Sequence, residues 1–179
     1  MKLILNSSLI TFCALLTACG GGGSDDDTTI TSNTGGNTNP NISTNDYTIK
    51  SFTLTGSNNT SAQPAVINPS INNGGFSIQV EAENPSDTYN LKLYISSNNI
   101  LGDNDILVLD QRCDFRSCPT TQVQKECTFT NSNETTCGEL TADISDLLTQ
   151  LPIELTAIVQ TCEITGLNCG TEIATVRFE

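Results

Sequence analysis

Six cysteines lie in the second half of this chain (Cys113, Cys118, Cys127, Cys137, Cys162 and Cys169), and no histidine occurs anywhere in its 179 residues. Without an imidazole, the Ser-His and Cys-His nucleophile pairs and the usual general base are excluded. A zinc site would need an all-thiolate set. The intervals of four, eight, nine, twenty-four and six residues between successive cysteines lack the C-x-x-C pairs that such sites use. An even number of cysteines reads instead as three disulfides, the form an oxidising compartment favours. Many connectivities are open to six cysteines. The expected one is sequential (Cys113–Cys118, Cys127–Cys137, Cys162–Cys169), because the second and third pairs flank turn-like stretches. Each short loop closed in this way contributes about 2–3 kcal/mol on the chain-entropy model.

Carboxylates are the other plausible reagents. A pair could act as acid and base in glycoside cleavage, but only if the two converge in a cleft. Glu81 and Glu83 share a face of an expected strand, yet it is the solvent face. Arg112, Asp114 and Arg116 could form a small salt-bridge cluster beside the first cysteine pair. Asp87, Asn98, Asp103 and Asp105 offer hard oxygen donors of the kind calcium takes, and extracellular modules often bind that ion weakly. The same residue types are also good turn formers, and the spacing of a helix-loop-helix calcium loop is absent. Gly20 to Gly23 lacks the strand and helix that a phosphate-cradling loop requires. The residues therefore point to a protein that is not an enzyme, with no cofactor beyond calcium.

The elements that position these residues read as strands. Gly75 to Glu83 and Tyr89 to Ser96 alternate apolar and polar side chains, the period of a strand with one buried face. With Asn84-Pro85-Ser86-Asp87 between them they read as a hairpin. Tyr47 to Thr55 and Gln63 to Asn68 suit shorter edge strands, Pro64 arguing against a central place for the second. Ile106 to Leu109 follows a polar loop. Gln122 to Thr130 and Thr135 to Thr141 suit a hairpin around Asn131 to Glu134, and Ile153 to Glu163 with Thr171 to Phe178 suit a last one. The single helical candidate is 143–151. There Thr141 or Asp143 could cap, and Ile144, Leu147, Leu148 and Leu151 share one helical face before Pro152. Seven to nine strands with one short helix make an all-β, immunoglobulin-like antiparallel β-sandwich the expected fold, with a small barrel as the alternative.

Upstream of that domain (47–179) the composition changes twice. Residues 1–18 carry Lys2 and then a mostly apolar run from Leu3 to Leu16, too short to span a bilayer, which needs about 20 residues. This is the pattern of a secretory leader. Residues 19–46 are dominated by Gly, Ser, Thr, Asn and Asp, and cannot bury enough surface to offset the entropy of ordering them. A flexible tether is expected, Asp25-Asp26-Asp27 being solvated linker charge. Leu16-Thr17-Ala18-Cys19 sits at the boundary and resembles the bacterial lipobox at all four positions. That resemblance implies diacylglycerol on the Cys19 thiol and cleavage before it. It also implies an acylated (palmitate-type) amino terminus and, since Gly20 rather than Asp follows, the outer membrane. Several acyl chains anchor far more firmly than one, because each buried methylene adds about 0.8 kcal/mol.

The chain has 20 acidic and 7 basic side chains, of which Lys2 lies in the leader. Such an acidic surface repels nucleic acid and anionic lipid head groups, so neither is an expected partner. Leu93-Tyr94-Ile95-Ser96-Ser97-Asn98-Asn99-Ile100-Leu101-Gly102-Asp103-Asn104-Asp105-Ile106-Leu107 resembles bacterial adhesion-related modules of the CARDB type. It departs from them in having Asn98 and Asn99 where an Asp is common. The resemblance implies an immunoglobulin-like module outside the cytoplasm and nothing catalytic. The expectation is a lipid-anchored envelope module for binding or adhesion, held to the membrane by its anchor and touching a protein or polysaccharide. A periplasmic accessory lipoprotein for assembly or secretion is one alternative. An inhibitor or carbohydrate-binding module is the other.

Overall fold

The computed structural model describes residues 48–83, 88–114, 116–118, 121–166 and 168–179. The leader, Cys19, the tether and the Asn84-Pro85-Ser86-Asp87 turn expected from the sequence lie outside the described residues, as do Asp87 of the calcium set and Leu167. Ten strands occur among the described residues: β1 (Thr48–Thr55), β2 (Ala65–Ile67), β3 (Gly75–Glu83), β4 (Thr88–Ser96), β5 (Ile106–Asp114), β6 (Gln122–Phe129), β7 (Glu134–Cys137), β8 (Leu140–Asp143), β9 (Ile153–Glu163) and β10 (Cys169–Phe178). They form two five-stranded sheets, β1-β3-β6-β7-β8 and β2-β10-β9-β4-β5. Their apolar faces meet in one core, so the domain is an all-β sandwich.

Period-2 patterning explains the packing. Phe76, Ile78, Val80 and Ala82 of β3 are buried, and so are Tyr89, Leu91, Leu93 and Ile95 of β4. Ala174, Val176 and Phe178 of β10 continue the second sheet's inner face, and Phe178 meets Phe129 edge to face with centroids 4.9 Å apart. With no tryptophan in the chain, the rest of the core rests mainly on Ile, Leu and Val, joined by Ala65, Ala157, Cys113, Cys118, Cys127 and Cys137.

Four details depart from the sequence expectation. First, β3 and β4 do not pair as a hairpin. β3 lies between β1 and β6, whereas β4 lies between β5 and β9 in the opposite sheet. Each strand presents an apolar face, and that face is equally satisfied by meeting its neighbour across the core. Second, there are ten strands rather than seven to nine, because the stretch from Thr135 to Thr141 divides at Gly138 (φ +62) into β7 and β8.

Third, 143–151 is not a helix. Asp143 ends β8, and its carboxylate accepts bonds from the Ser145 backbone N–H (2.9 Å) and hydroxyl. That is the bond an N-cap makes, so Asp143 starts a turn as expected, but the turn does not continue into a helix. Only two i→i+3 bonds follow, Leu147 to Ile144 and Leu148 to Ser145. Ile144 still reaches the core and Leu147 and Leu148 pack against it, while Leu151 stays exposed. Thr141 bonds Thr136 across the β7–β8 pair rather than capping anything. Fourth, the sandwich is not antiparallel throughout, because β2 runs parallel to β10 at the edge of the second sheet. In the first sheet β6 leaves β5 to join β3 directly, and the edge is then reached by the later strands β7 and β8.

Candidate functional site

The described cysteines pair sequentially as Cys113–Cys118, Cys127–Cys137 and Cys162–Cys169. The latter two join residues directly opposite each other in the β6–β7 and β9–β10 ladders, with Cα separations of 4.3 and 4.1 Å. These match the closer kind of antiparallel pair. Cys113 closes a tight loop instead. Within it the Asp114 carboxylate accepts the backbone N–H groups of Arg116 and Ser117, each at 2.8 Å, and the Ser117 hydroxyl at 3.0 Å. The backbone bonds from Ser117 and Arg116, followed by that hydroxyl, hold the Asp114 carboxyl below its usual range. Asp143 is lowered similarly, first by the Ser145 hydroxyl and then by its backbone N–H. In the expected cluster of Arg112, Asp114 and Arg116, the Asp114 carboxylate is thus occupied mainly by backbone.

The proposed calcium donors are used in turns. Asn98 Oδ1 accepts the N–H of Ile100 at 2.8 Å, and Asp105 Oδ2 accepts the N–H of Gly102 at 2.7 Å. Asp103 lies in the same loop with no group of three metal-binding side chains around it; none occurs among the described residues. Beside them Ile100 is 78% exposed at the loop tip. Glu81 is paired with Lys50 at 2.7 Å on the outer face of the first sheet, as its place on the solvent side of β3 requires.

A different cluster forms on the flank where β5 packs beside the β7–β8 arm and β6 runs past the end of its pairing with β7. β5 is the edge of the second sheet. On β6, pairing with β7 runs only from Cys127 to Phe129. The chain then turns away at Gly138 and Glu139, so residues 122–126 have no strand on their outer side among the described residues. Beneath that turn lies a cavity of about 340 Å³, lined by Leu109, Asp110, Gln111, Arg112, Lys125, Gly138 and Glu139.

Lys125 is the unexpected member. Val123, Cys127 and Phe129 of β6 are buried, and strand alternation puts Lys125 on that same inward face, opposite the buried Ile78 of β3. Its side chain is half-buried and makes no ion pair or hydrogen bond among the described residues. From the other sheet Gln111 also faces inward, between Leu109 and Cys113, its amide donating to Cys118 Sγ at 3.5 Å. Asp110 and Arg112 alternate outward, and Asp110 sits 4.0 Å from Lys92, at the limit of pairing. The signal for Lys125 was present in the sequence as a charge interrupting the series Val123, Cys127, Phe129. It passes unnoticed unless the strand's inner face is read residue by residue.

Several buried groups have no visible role. The hydroxyls of Tyr89, Thr135 and Thr161 have no hydrogen-bond partner among the described residues. Burial pushes the Tyr89 phenol above its usual value. No helix among the described residues is long and apolar enough to cross a membrane. No protein-family model, curated protein or solved structure matches the chain.

Proposed function

We propose that the chain is a lipid-anchored, non-enzymatic binding module of the bacterial outer envelope. The observation that carries the reading is Leu16-Thr17-Ala18-Cys19, which matches the lipobox at every position and is followed by a Gly-rich stretch. Three disulfides suit an oxidising exterior. The lack of any histidine supports binding over catalysis, and Asp105, Asp114 and Glu81 are engaged in turns or a surface pair. The resemblance of residues 93–107 to CARDB-type modules supports adhesion or recognition as the form that binding takes.

The anchor is tested by metabolic labelling with palmitate and by Cys19→Ala. Labelled protein in the outer-membrane fraction, with the variant released into the soluble fraction, is the expected result. An unlabelled chain, or a variant that stays with the membrane, overturns the reading. Proteolysis of whole cells decides orientation, since a domain facing the periplasm survives it and a surface domain is cut.

A further inference from the structure

We infer that the open edge of β6 takes up an extended, basic segment of another polypeptide by strand addition, with Gln124 at the centre of the new pairing. This rests on the reading of the domain as a binding module and names the kind of partner that module holds.

Register fixes where the backbone groups of β6 point. Thr130 N–H donates to Glu134 O at 3.0 Å across the β6–β7 turn, and Cys127 and Cys137 form the closer kind of pair, with Cα atoms 4.3 Å apart. Even-numbered residues of β6 therefore turn their N–H and C=O groups toward β7. Ala82 N–H donates to Thr121 O at 3.0 Å, so odd-numbered residues face β3, as the alternation requires. β7 ends its pairing at Cys137, and the chain turns away at Gly138. Beyond that point the N–H of Glu126 and both backbone groups of Gln124 face outward with no backbone partner among the described residues. They lie on the line that β7 would follow if it continued. A guest strand laid there, antiparallel to β6 as β7 is, extends the ladder.

Side chains state what the guest must carry. On the outer face of the first sheet the carboxylates of Glu81, Glu126, Glu134 and Asp143 stand against a single cation among the described residues, Lys50, which is paired with Glu81. Glu134 and Asp143 even lie directly opposite each other, where like charges cost stability. A Lys or Arg of the guest opposite Gln124 points to this face and reaches Glu126 on the diagonal. The next guest residue points inward, opposite Lys125, into the cavity of about 340 Å³. There Lys125 and Arg112 are balanced by Asp110 and Glu139, so nothing calls for an ion. An inward charge beside an edge discourages indiscriminate pairing. Lys125 thus refuses a basic side chain at that position and admits a neutral one. The guest is basic on one face and neutral on the other. A second copy of the chain is unsuited, since a formal net charge of −13 repels its like.

The test is amide hydrogen exchange of the full chain with and without millimolar acetyl-Lys-Val-Lys-Val-Lys-amide. In the free chain the Gln124 and Glu126 amides should exchange readily and those of Val123 and Lys125 slowly. The peptide should slow exchange at Gln124 by about tenfold or more, and added salt should weaken the effect. The same peptide methylated on its lysine backbone nitrogens loses the groups that face β6 and should not bind. Methylation on the valine nitrogens, which face away, should leave binding intact. Acetyl-Glu-Val-Glu-Val-Glu-amide should not bind. Gln124→Pro removes an outward N–H without touching the β3 ladder, so the variant should melt cooperatively and lose the peptide. Gln124→Ala should keep it, because the bonds are main-chain.

The inference is overturned if the Gln124 amide is already protected in the free chain, if the Lys-Val peptide leaves its exchange unchanged, or if the Glu-Val peptide binds as tightly. A folded Gln124→Pro chain that keeps the peptide overturns it as well. Should that variant fail to melt cooperatively, the two methylated peptides decide, and equal binding by both overturns it. Capture on intact membranes separates the two levels. A partner held equally by the native chain and by Gln124→Pro removes strand addition and leaves the binding-module reading in place. A membrane-held chain that captures no partner at all removes the module reading, and the inference with it.

Discussion

On the flank formed by β1 and β2, backbone meets backbone; on the opposite flank, β5 and β6 leave a cavity that holds a lysine. The first flank is tied by short bonds. Ser57 N–H donates to Val66 O at 2.8 Å, Gly56 N–H to Thr60 O at 2.9 Å, and the buried Ser57 hydroxyl accepts from Asn68 N–H at 3.2 Å. A Cβ on Gly56 would lie 2.3 Å from Val66 O, so only glycine permits the approach. The second flank has no such contact. Its turn glycine, Gly138, has only the Leu109 side chain within reach of an added Cβ, at 3.7 Å. One flank is closed for stability, and the other keeps room and charge that stability does not call for.

Matched glycine substitutions offer the largest break in that contrast. Gly56→Ala should cost about 3 kcal/mol or more, since the obstacle is backbone and not a yielding side chain. Gly138→Ala should cost only about 1 kcal/mol, from its positive φ. Urea unfolding measures both, and equal losses would erase the distinction between the flanks. Next in size is the double variant Cys127→Ser with Cys137→Ser, which frees the β7–β8 arm above the cavity. A loss of about 2–3 kcal/mol is expected for a loop of this length.

Lys125→Met acts in the opposite sense. It should raise stability by about 1 kcal/mol by extending apolar contact along the inner face of β6. Destabilisation would mean that the ammonium is structurally required. The smallest effect concerns Tyr89. Its folded value is raised, so the neutral phenol's contribution is complete below the unfolded value near 10 and is lost as pH rises through the folded value. Tyr89→Phe should flatten that alkaline limb and, by removing an unpartnered buried hydroxyl, leave stability at neutral pH the same or higher by up to about 1 kcal/mol. At the acid end the signs reverse. Asp114 and Asp143 are lowered, so what they contribute is present above the ordinary carboxylate value and lost as pH falls through their folded values. Circular dichroism melts across pH report both limbs.

Much of the sandwich can be read from alternation alone. Phe76-Ile78-Val80 and Leu91-Leu93-Ile95 mark buried faces, and Asn131 to Glu134 marks the turn between β6 and β7. Partner choice is less legible, because a strand's inner face does not say whether its neighbour in sequence lies beside it or across the core. That is why β3 and β4 resemble a hairpin and yet belong to different sheets. Ile144, Leu147 and Leu148 mimic a helical stripe for a related reason. A turn can aim three apolar side chains inward as well as a helix can, and here the capping bond at Asp143 is followed by only two i→i+3 bonds. The cavity was least legible of all. It depends on where β7 stops pairing with β6, and only long-range register decides that.

The antiparallel match of β1 with β3, from Thr48 opposite Glu83 to Thr55 opposite Ser77, has a mechanical consequence. β1 is the first described strand, and Thr48 lies at the end of the sandwich that carries the Cys113–Cys118 and Cys162–Cys169 bridges. A pull applied through the residues before Thr48, and resisted at the opposite end, runs along β1 and across hydrogen bonds that stand perpendicular to it. Those bonds then share the load in shear instead of parting one after another, which is the stronger arrangement for a domain held under tension.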